Sequence, residues 1–155
     1  DGCGFSVILD FAHTPDGLEN LLSSVQQFAK GRVICVFGCG GDRDRTKRPE
    51  MARVAEEYSD RIIVTSDNSR TERTEDIMKD IRAGFGPSGL AKAVFISDRR
   101  EAIRAAITLA PDGAAILLAG KGHEDYQITG TEKRHFDEKE IVGEIFSSIE
   151  ENIKK

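Results

Sequence analysis

The sequence predicts an α/β fold: an open, mostly parallel sheet of about five to six strands, with helices on both faces. Three observations predict it. Short β-branched runs alternate with stretches of helical spacing along the chain, the order that puts crossover helices between parallel strands. The runs are apolar throughout and do not alternate, which is how strands covered on both faces read. The chain has 155 residues, 39% of them hydrophobic and 32% charged, a balance that suits one soluble domain spanning 1–155 with a single core.

Five strands are expected in order. They are Val7-Ile8-Leu9, then the run from Arg32 to Phe37, then Arg61 to Thr65, Ala93 to Ile96, and Ala114 to Ala119. Helices fit between them. Pro15 and Asp16 open the first, which carries Leu18, Leu21, Leu22, Val25 and Phe28 and closes near Gly31. Pro49 opens the second, with Met51, Val54, Ala55 and Tyr58. Thr74 is a candidate cap for the third, ahead of Ile77, Met78 and Ile81. Asp98 caps the fourth, with Ala102, Ile103, Ala106 and Ile107. The last begins near Asp137 and carries Ile141, Ile145, Phe146 and Ile149. The Gly84-Phe85-Gly86-Pro87-Ser88-Gly89 segment reads as an exposed loop.

Composition narrows the function. The formal net charge is -5, which gives no electrostatic reason to expect nucleic acid or an anionic membrane as partner. No apolar run approaches the roughly 20 residues that span a bilayer. The chain opens on Asp1-Gly2-Cys3-Gly4 with neither an initiator Met nor a basic signal-peptide start, which suggests a piece of a longer protein. Cys3, Cys35 and Cys39 form no C-x-x-C pair. Buried free thiols in a reducing, cytoplasmic setting are expected, and no metal site.

Ligands in open α/β sheets gather outside the carboxyl ends of the strands, and four predicted strand ends carry polar clusters. Asp10-Phe11-Ala12-His13-Thr14-Pro15 follows the first; taken alone it reads as a helix cap beside a partly exposed histidine. Gly38-Cys39-Gly40-Gly41-Asp42-Arg43-Asp44-Arg45 follows the second and continues to Lys47-Arg48. Its glycines permit close backbone approach to an anion. Arg43 stands where a dinucleotide fingerprint needs its third glycine, so a plain NAD site is disfavoured. The four cations form either a carboxylate or phosphate site or a solvated basic loop. Ser66-Asp67-Asn68-Ser69-Arg70 follows the third. Asp67 and Asn68 suit a turn that bonds its own backbone, which leaves Arg70, whose fork matches a carboxylate. Gly120-Lys121-Gly122-His123-Glu124 follows the fifth. It fails the P-loop pattern, so it cannot cradle a triphosphate.

Taken in this order, the four clusters resemble the C-terminal domain of the Mur ligases, in particular the branch that adds meso-diaminopimelate. The resemblance runs from Asp10 to Glu124. It implies an ATP- and Mg²⁺-dependent, amide-forming ligase of peptidoglycan synthesis with three domains. The first holds a UDP-sugar. The central one carries the P-loop, the Mg²⁺ ligands and a carbamylated lysine. The last closes over them and delivers the amino acid. ATP phosphorylates the carboxylate of UDP-MurNAc-dipeptide, and the amine of the incoming amino acid displaces the phosphate. The resemblance further implies that Arg43, Asp67, Asn68, Arg70, Gly120 and Glu124 hold meso-diaminopimelate, and that Asp10, His13 and Lys121 lie on the nucleotide side. No catalytic residue and no metal ligand is expected in this domain, which should be monomeric and inactive alone. The family's specificity motif for this substrate is Asp-Asn-Pro-Arg; here Ser69 replaces the proline.

Two other readings compete. A lysine-adding Mur ligase or a folylpolyglutamate synthase has a similar last domain, and Arg70 with Glu124 argues for diaminopimelate instead. A non-catalytic module that binds an amino acid or nucleotide would also lack a P-loop; a P-loop upstream in the parent gene would exclude it.

Overall fold

The computed structural model describes residues 4–154. Five parallel strands build one sheet: β1 (Ser6–Asp10), β2 (Val33–Phe37), β3 (Arg61–Val64), β4 (Ala93–Phe95) and β5 (Ala115–Ala119), in the spatial order β1-β5-β2-β3-β4. The fifth strand thus returns to lie between the first two, pairing Ser6 with Ala115 on one side and Val33 with Ala115 on the other. Every residue of β2 and β5 is buried, whereas β1 and β4 form the edges and are partly exposed.

The alternating side chains of β2 split between two cores. Val33, Cys35 and Phe37 face α1 (Pro15–Phe28), α2 (Lys47–Tyr58) and α3 (Thr74–Arg82). Ile34 and Val36 face α5 (Arg99–Leu109) and α6 (Glu138–Ile153). Period-2 geometry makes this division automatic. Helix starts follow local chemistry. Thr14 caps α1 by accepting from Gly17 N, with Pro15 at the first position, and Asp98 caps α5. Asp137 caps α6 by accepting from Lys139 N and Glu140 N. No helix among the described residues is long and apolar enough to cross a membrane.

Three expectations are corrected. The Gly84–Gly89 region is not an exposed loop. It leads into a short helix, α4 (Pro87–Lys92), and Phe85 is buried. Gly84 is pressed against α2 so closely that a Cβ would sit 2.1 Å from the Pro49 carbonyl oxygen. Thr74 is not the cap of α3; Arg73 occupies that position and Thr74 is the first helical residue. A two-stranded antiparallel hairpin, β6 (Tyr126–Thr129) and β7 (Glu132–His135), was not expected at all. It stands outside the main sheet and turns at Gly130, which has φ +61°. Cys35 and Cys39 are buried free thiols, while Cys3 lies outside the described residues.

Candidate functional site

Chain leaving β2 runs to α2 on one face, and chain leaving β5 leads to α6 on the other. Such divergence opens a crevice at the carboxyl ends of the strands. A cavity of about 370 Å³ lies there, lined from all four clusters: Phe11 and His13 after β1, Gly38, Cys39, Gly40 and Arg43 after β2, Asp67, Asn68 and Arg70 after β3, and Gly120 and Glu124 after β5. A larger polar hollow of about 500 Å³, walled in part by Ser97, Arg100 and His135, lies nearby, and its Arg100 and His135 are already paired with Glu144 and Glu140.

Two loops that carry the arginines are tied to each other. Gly41 N donates to the Asn68 carbonyl at 2.7 Å, and Arg70 Nη1 donates to the Gly41 carbonyl at 3.0 Å. Thr71 donates its hydroxyl and backbone N–H to Asp42. The approach is so close that a Cβ at Gly41 would lie 1.8 Å from the Ser69 carbonyl oxygen, so glycine is required there. Arg70 has φ +53°, a left-handed conformation uncommon outside glycine. The hairpin fixes it: Arg70 N donates to the Ile128 carbonyl at 3.3 Å, and Gly130 N donates to the Arg70 carbonyl at 2.6 Å. The turn that lacks the family's proline is therefore held by neighbours, and Ser69 is itself buried.

Of the four cations after β2, read as either a shared anion site or a solvated basic loop, two do not line the cavity. Arg48 is fully buried and points away from the cavity. Its guanidinium bonds both oxygens of Glu72 at 2.9 Å, Asp80 at 2.9 Å and the Gly40 carbonyl at 3.0 Å. Arg45 pairs with Asp80 on the surface. Arg43 and Lys47 do line the cavity. Arg43 is exposed and bonds the Asp42 carbonyl, while Lys47 Nζ reaches across to the His13 carbonyl at 3.0 Å. Glu72 also accepts from Asp42 N at 2.8 Å. Hydrogen bonds from Arg48 hold the Glu72 carboxyl below its usual range, and those from Arg45 do the same for Asp80.

Beneath the cavity floor lie two further buried cations. Arg99 donates to the Ser66 carbonyl at 3.0 Å, the Ala119 carbonyl at 2.9 Å and Glu138 at 2.9 Å. It thereby staples the ends of β3 and β5 just before Asp67 and Gly120. Lys121 is fully buried too. The two bracket Asp67, with Lys121 Nζ 3.6 Å from Oδ1 and Arg99 Nη1 3.7 Å from Oδ2. Gly120 has φ +116°, and a Cβ there would meet Asp67 Oδ2 at 2.7 Å.

Arg43, Asp67, Asn68, Arg70, Gly120, Glu124 and His13 thus share one cavity. Asp10 is not among the lining residues; it ends β1, next to Phe11, and accepts from Ala12 N at 2.9 Å. Lys121 does not line the cavity: its side chain is buried, and its ammonium donates to Asn68 Oδ1 and to the Tyr126 carbonyl. Sequence reasoning did not foresee the buried pairing of Arg48 and missed Glu72, Asp80, Arg99 and Glu138, whose partners are far apart in the chain. It also missed the hairpin, although the β-prone Tyr126-Gln127-Ile128-Thr129 run before Gly130 is a strand-and-turn signal.

The profile of the family described as "Mur ligase, glutamate ligase domain" matches residues 1–122. The chain belongs to this family. Over 135 residues the Mur ligase domain is 62% identical to the UDP-N-acetylmuramoyl-L-alanyl-D-glutamate–2,6-diaminopimelate ligase of Trichormus variabilis, covering 87% of this chain and 27% of that protein. Against the ligase of the same name from Gloeobacter violaceus it is 57% identical over 142 residues, covering 92% and 29%. A solved structure of a ligase with this name superposes with a TM-score of 0.84 at 41% identity, covering 94% of this chain and 29% of that one. Escherichia coli FolC, solved with ADP, shares the fold at a TM-score of 0.56 and 18% identity, over 96% of this chain and 30% of its own. The Mur ligase domain spans under a third of the length of these relatives.

Proposed function

We propose that the Mur ligase domain is the C-terminal part of an ATP-dependent ligase that joins meso-diaminopimelate to UDP-MurNAc-L-Ala-D-Glu, and that the strand-end cavity receives the diaminopimelate. One observation carries this reading: six residues from three separate loops, Arg43, Asp67, Asn68, Arg70, Gly120 and Glu124, line a single cavity. The substrate carries two carboxylates and two amino groups. Arg43 and Arg70 suit carboxylates, since a guanidinium fork pairs with both oxygens at once. Glu124 and the Gly120 carbonyl suit an ammonium. Holding both ends of the amino acid orients its reacting amine, which is how binding lowers the barrier of a two-substrate step.

His13, which lines the same cavity, and Asp10, at the end of β1, are assigned to the nucleotide side. The domain's own residues do not fit a triphosphate: the Gly-Lys-Gly turn follows no P-loop pattern, and Lys121 faces inward. Nor, among the described residues, do three or more His, Cys, Asp or Glu come together to hold a metal ion. ATP, Mg²⁺ and the UDP-dipeptide are assigned to the rest of the protein, which we place in the cytoplasm as a monomer.

Calorimetry of the full-length protein, loaded with UDP-dipeptide and an unreactive ATP analogue, tests the reading. Meso-diaminopimelate should bind at least tenfold more tightly than lysine. Equal affinity, or no binding of either, would overturn it.

A further inference from the structure

Lys121 sits in a Gly-Lys-Gly turn after a strand, where a lysine commonly meets a phosphate. Its surroundings assign it different work. The side chain is fully buried. Its Nζ donates to the Tyr126 carbonyl at 2.8 Å and to Asn68 Oδ1 at 3.2 Å, and lies 3.6 Å from Asp67 Oδ1. The rings of Tyr126 and Phe136 lie 5.9 and 5.8 Å away. Burial pushes the ammonium down from the usual lysine range, and Asp67 opposes that shift.

Asn68 Oδ1 receives a second donor, the backbone N–H of Ile128 on the hairpin, at 2.9 Å. Neither neighbour can accept: a backbone N–H has no lone pair to offer, and nor has an ammonium. The Asn68 amide therefore has one permitted orientation, oxygen inward. Its Nδ2 finds no hydrogen-bond partner among the described residues, although Asn68 lines the cavity. Nδ2 is not among the buried unpartnered atoms, so its two N–H groups are left open to donate to an acceptor held in the cavity.

We propose that Lys121 is a positioning residue that, together with the hairpin, locks the Asn68 amide oxygen inward and so makes Asn68 a pure donor toward the bound amino acid, adding a third carboxylate-reading group to Arg43 and Arg70. This rests on the reading of the cavity as the amino-acid site. Lys121 touches neither substrate nor nucleotide; it acts through Asn68. The hairpin contributes equally, since Ile128 supplies the second donor and Tyr126 the carbonyl that anchors the lysine.

The test uses the full-length protein with Lys121→Met, Asn68→Ala and the double variant. Lys121→Met keeps the buried length but removes the donors. It should raise the KM for meso-diaminopimelate tenfold or more and leave the KM for ATP within twofold. In the Asn68→Ala background it should add nothing, because the two act as one unit. A rise confined to the ATP KM, effects that multiply, or a lowered Tm with both KM values unchanged would each overturn the proposal. A second readout needs no substrate. The side-chain NH₂ signals of Asn68, identified by their loss in Asn68→Ala, should shift in ¹⁵N spectra of Lys121→Met; unmoved signals would overturn the lock even if the protein proves to use another amino acid. If Lys121→Met does not fold, Asn68→Asp decides. It keeps an oxygen for Lys121 but turns a second oxygen toward the cavity. It should fold and raise the meso-diaminopimelate KM at least tenfold, with the ATP KM unchanged. An unaltered meso-diaminopimelate KM would overturn the proposal.

Discussion

Arg70, proposed above to read the substrate, occupies an unusual position. Its backbone is left-handed, with φ +53°, a conformation costing roughly 1–2 kcal/mol for an L-residue. One nitrogen of its side chain, Nη1, already donates to the Gly41 and Asn68 carbonyls. What remains of the fork is aimed by a backbone that the hairpin and the Gly41 loop hold in place. In the full-length protein, lysine in the cavity would lose the partner of this guanidinium and leave a desolvated charge unpaired. Arg70→Ala should therefore lower kcat/KM for meso-diaminopimelate selectively, by about 2–5 kcal/mol in a closed, dry site. Steady-state kinetics with both amino acids measure this; an equal loss for both would assign Arg70 to the fold. The two buried thiols make a second expectation at this scale. Burial pushes Cys35 and Cys39 up to about 12. Only the thiolate is an effective nucleophile, so at pH 8 neither should react with iodoacetamide in the native chain, and both should react in denaturant. Peptide mass spectrometry reads each site, and native labelling of Cys39 would show that the cavity wall opens.

Among elements, those that the sequence revealed are those whose residues answer to a single neighbour type. β2 and β5 are buried on both faces, so their apolar runs are unambiguous. Caps such as Asp98 and Asp137 act within three residues. The cavity residues were also legible, because each cluster directly follows a strand. The hairpin was not, because it adds nothing to either core and its β7 is exposed along its length. Arg48 was hidden for another reason: Glu72 and Asp80 lie 24 and 32 residues away, and only the packing of α2 against α3 and the loop before it brings them to it. That clamp should be visible in acid. Both carboxyls lie below their usual range in the folded chain. Their stabilising contribution is therefore present above the unfolded carboxylate range, near pH ~4, and is lost as pH falls through the folded values. Arg48→Met should cost roughly 2–4 kcal/mol near neutrality, somewhat under the fully buried range because both partners keep contact with water. The gap from the parent chain should narrow at pH 3. Urea unfolding at the two pH values measures it, and a gap independent of pH would mean that Arg48 contributes packing alone.

At the scale of the molecule, the sheet order puts every loop that lines the cavity on one rim. β5 returns between β1 and β2; this brings Gly120 and Glu124 beside Asn68 and Arg70 and buries Lys121 beneath them. The rim therefore presents donors and acceptors for an amino acid, but its one strand-end lysine in a glycine turn is occupied below the floor. On the proposed reading, groups that stabilise a transferring phosphoryl come from outside this chain, which spans under a third of the length of the relatives it matches. Closure of the rim against those groups is what would exclude water and complete the site. The 155-residue chain alone, supplied with meso-diaminopimelate, UDP-dipeptide, ATP and Mg²⁺, should therefore fold but release no phosphate above a protein-free control, while the full-length protein turns over under the same conditions. A coupled phosphate assay distinguishes the two. Turnover by the chain alone would place triphosphate handling on residues of this rim and would reverse the division of labour argued from the inward-facing lysine.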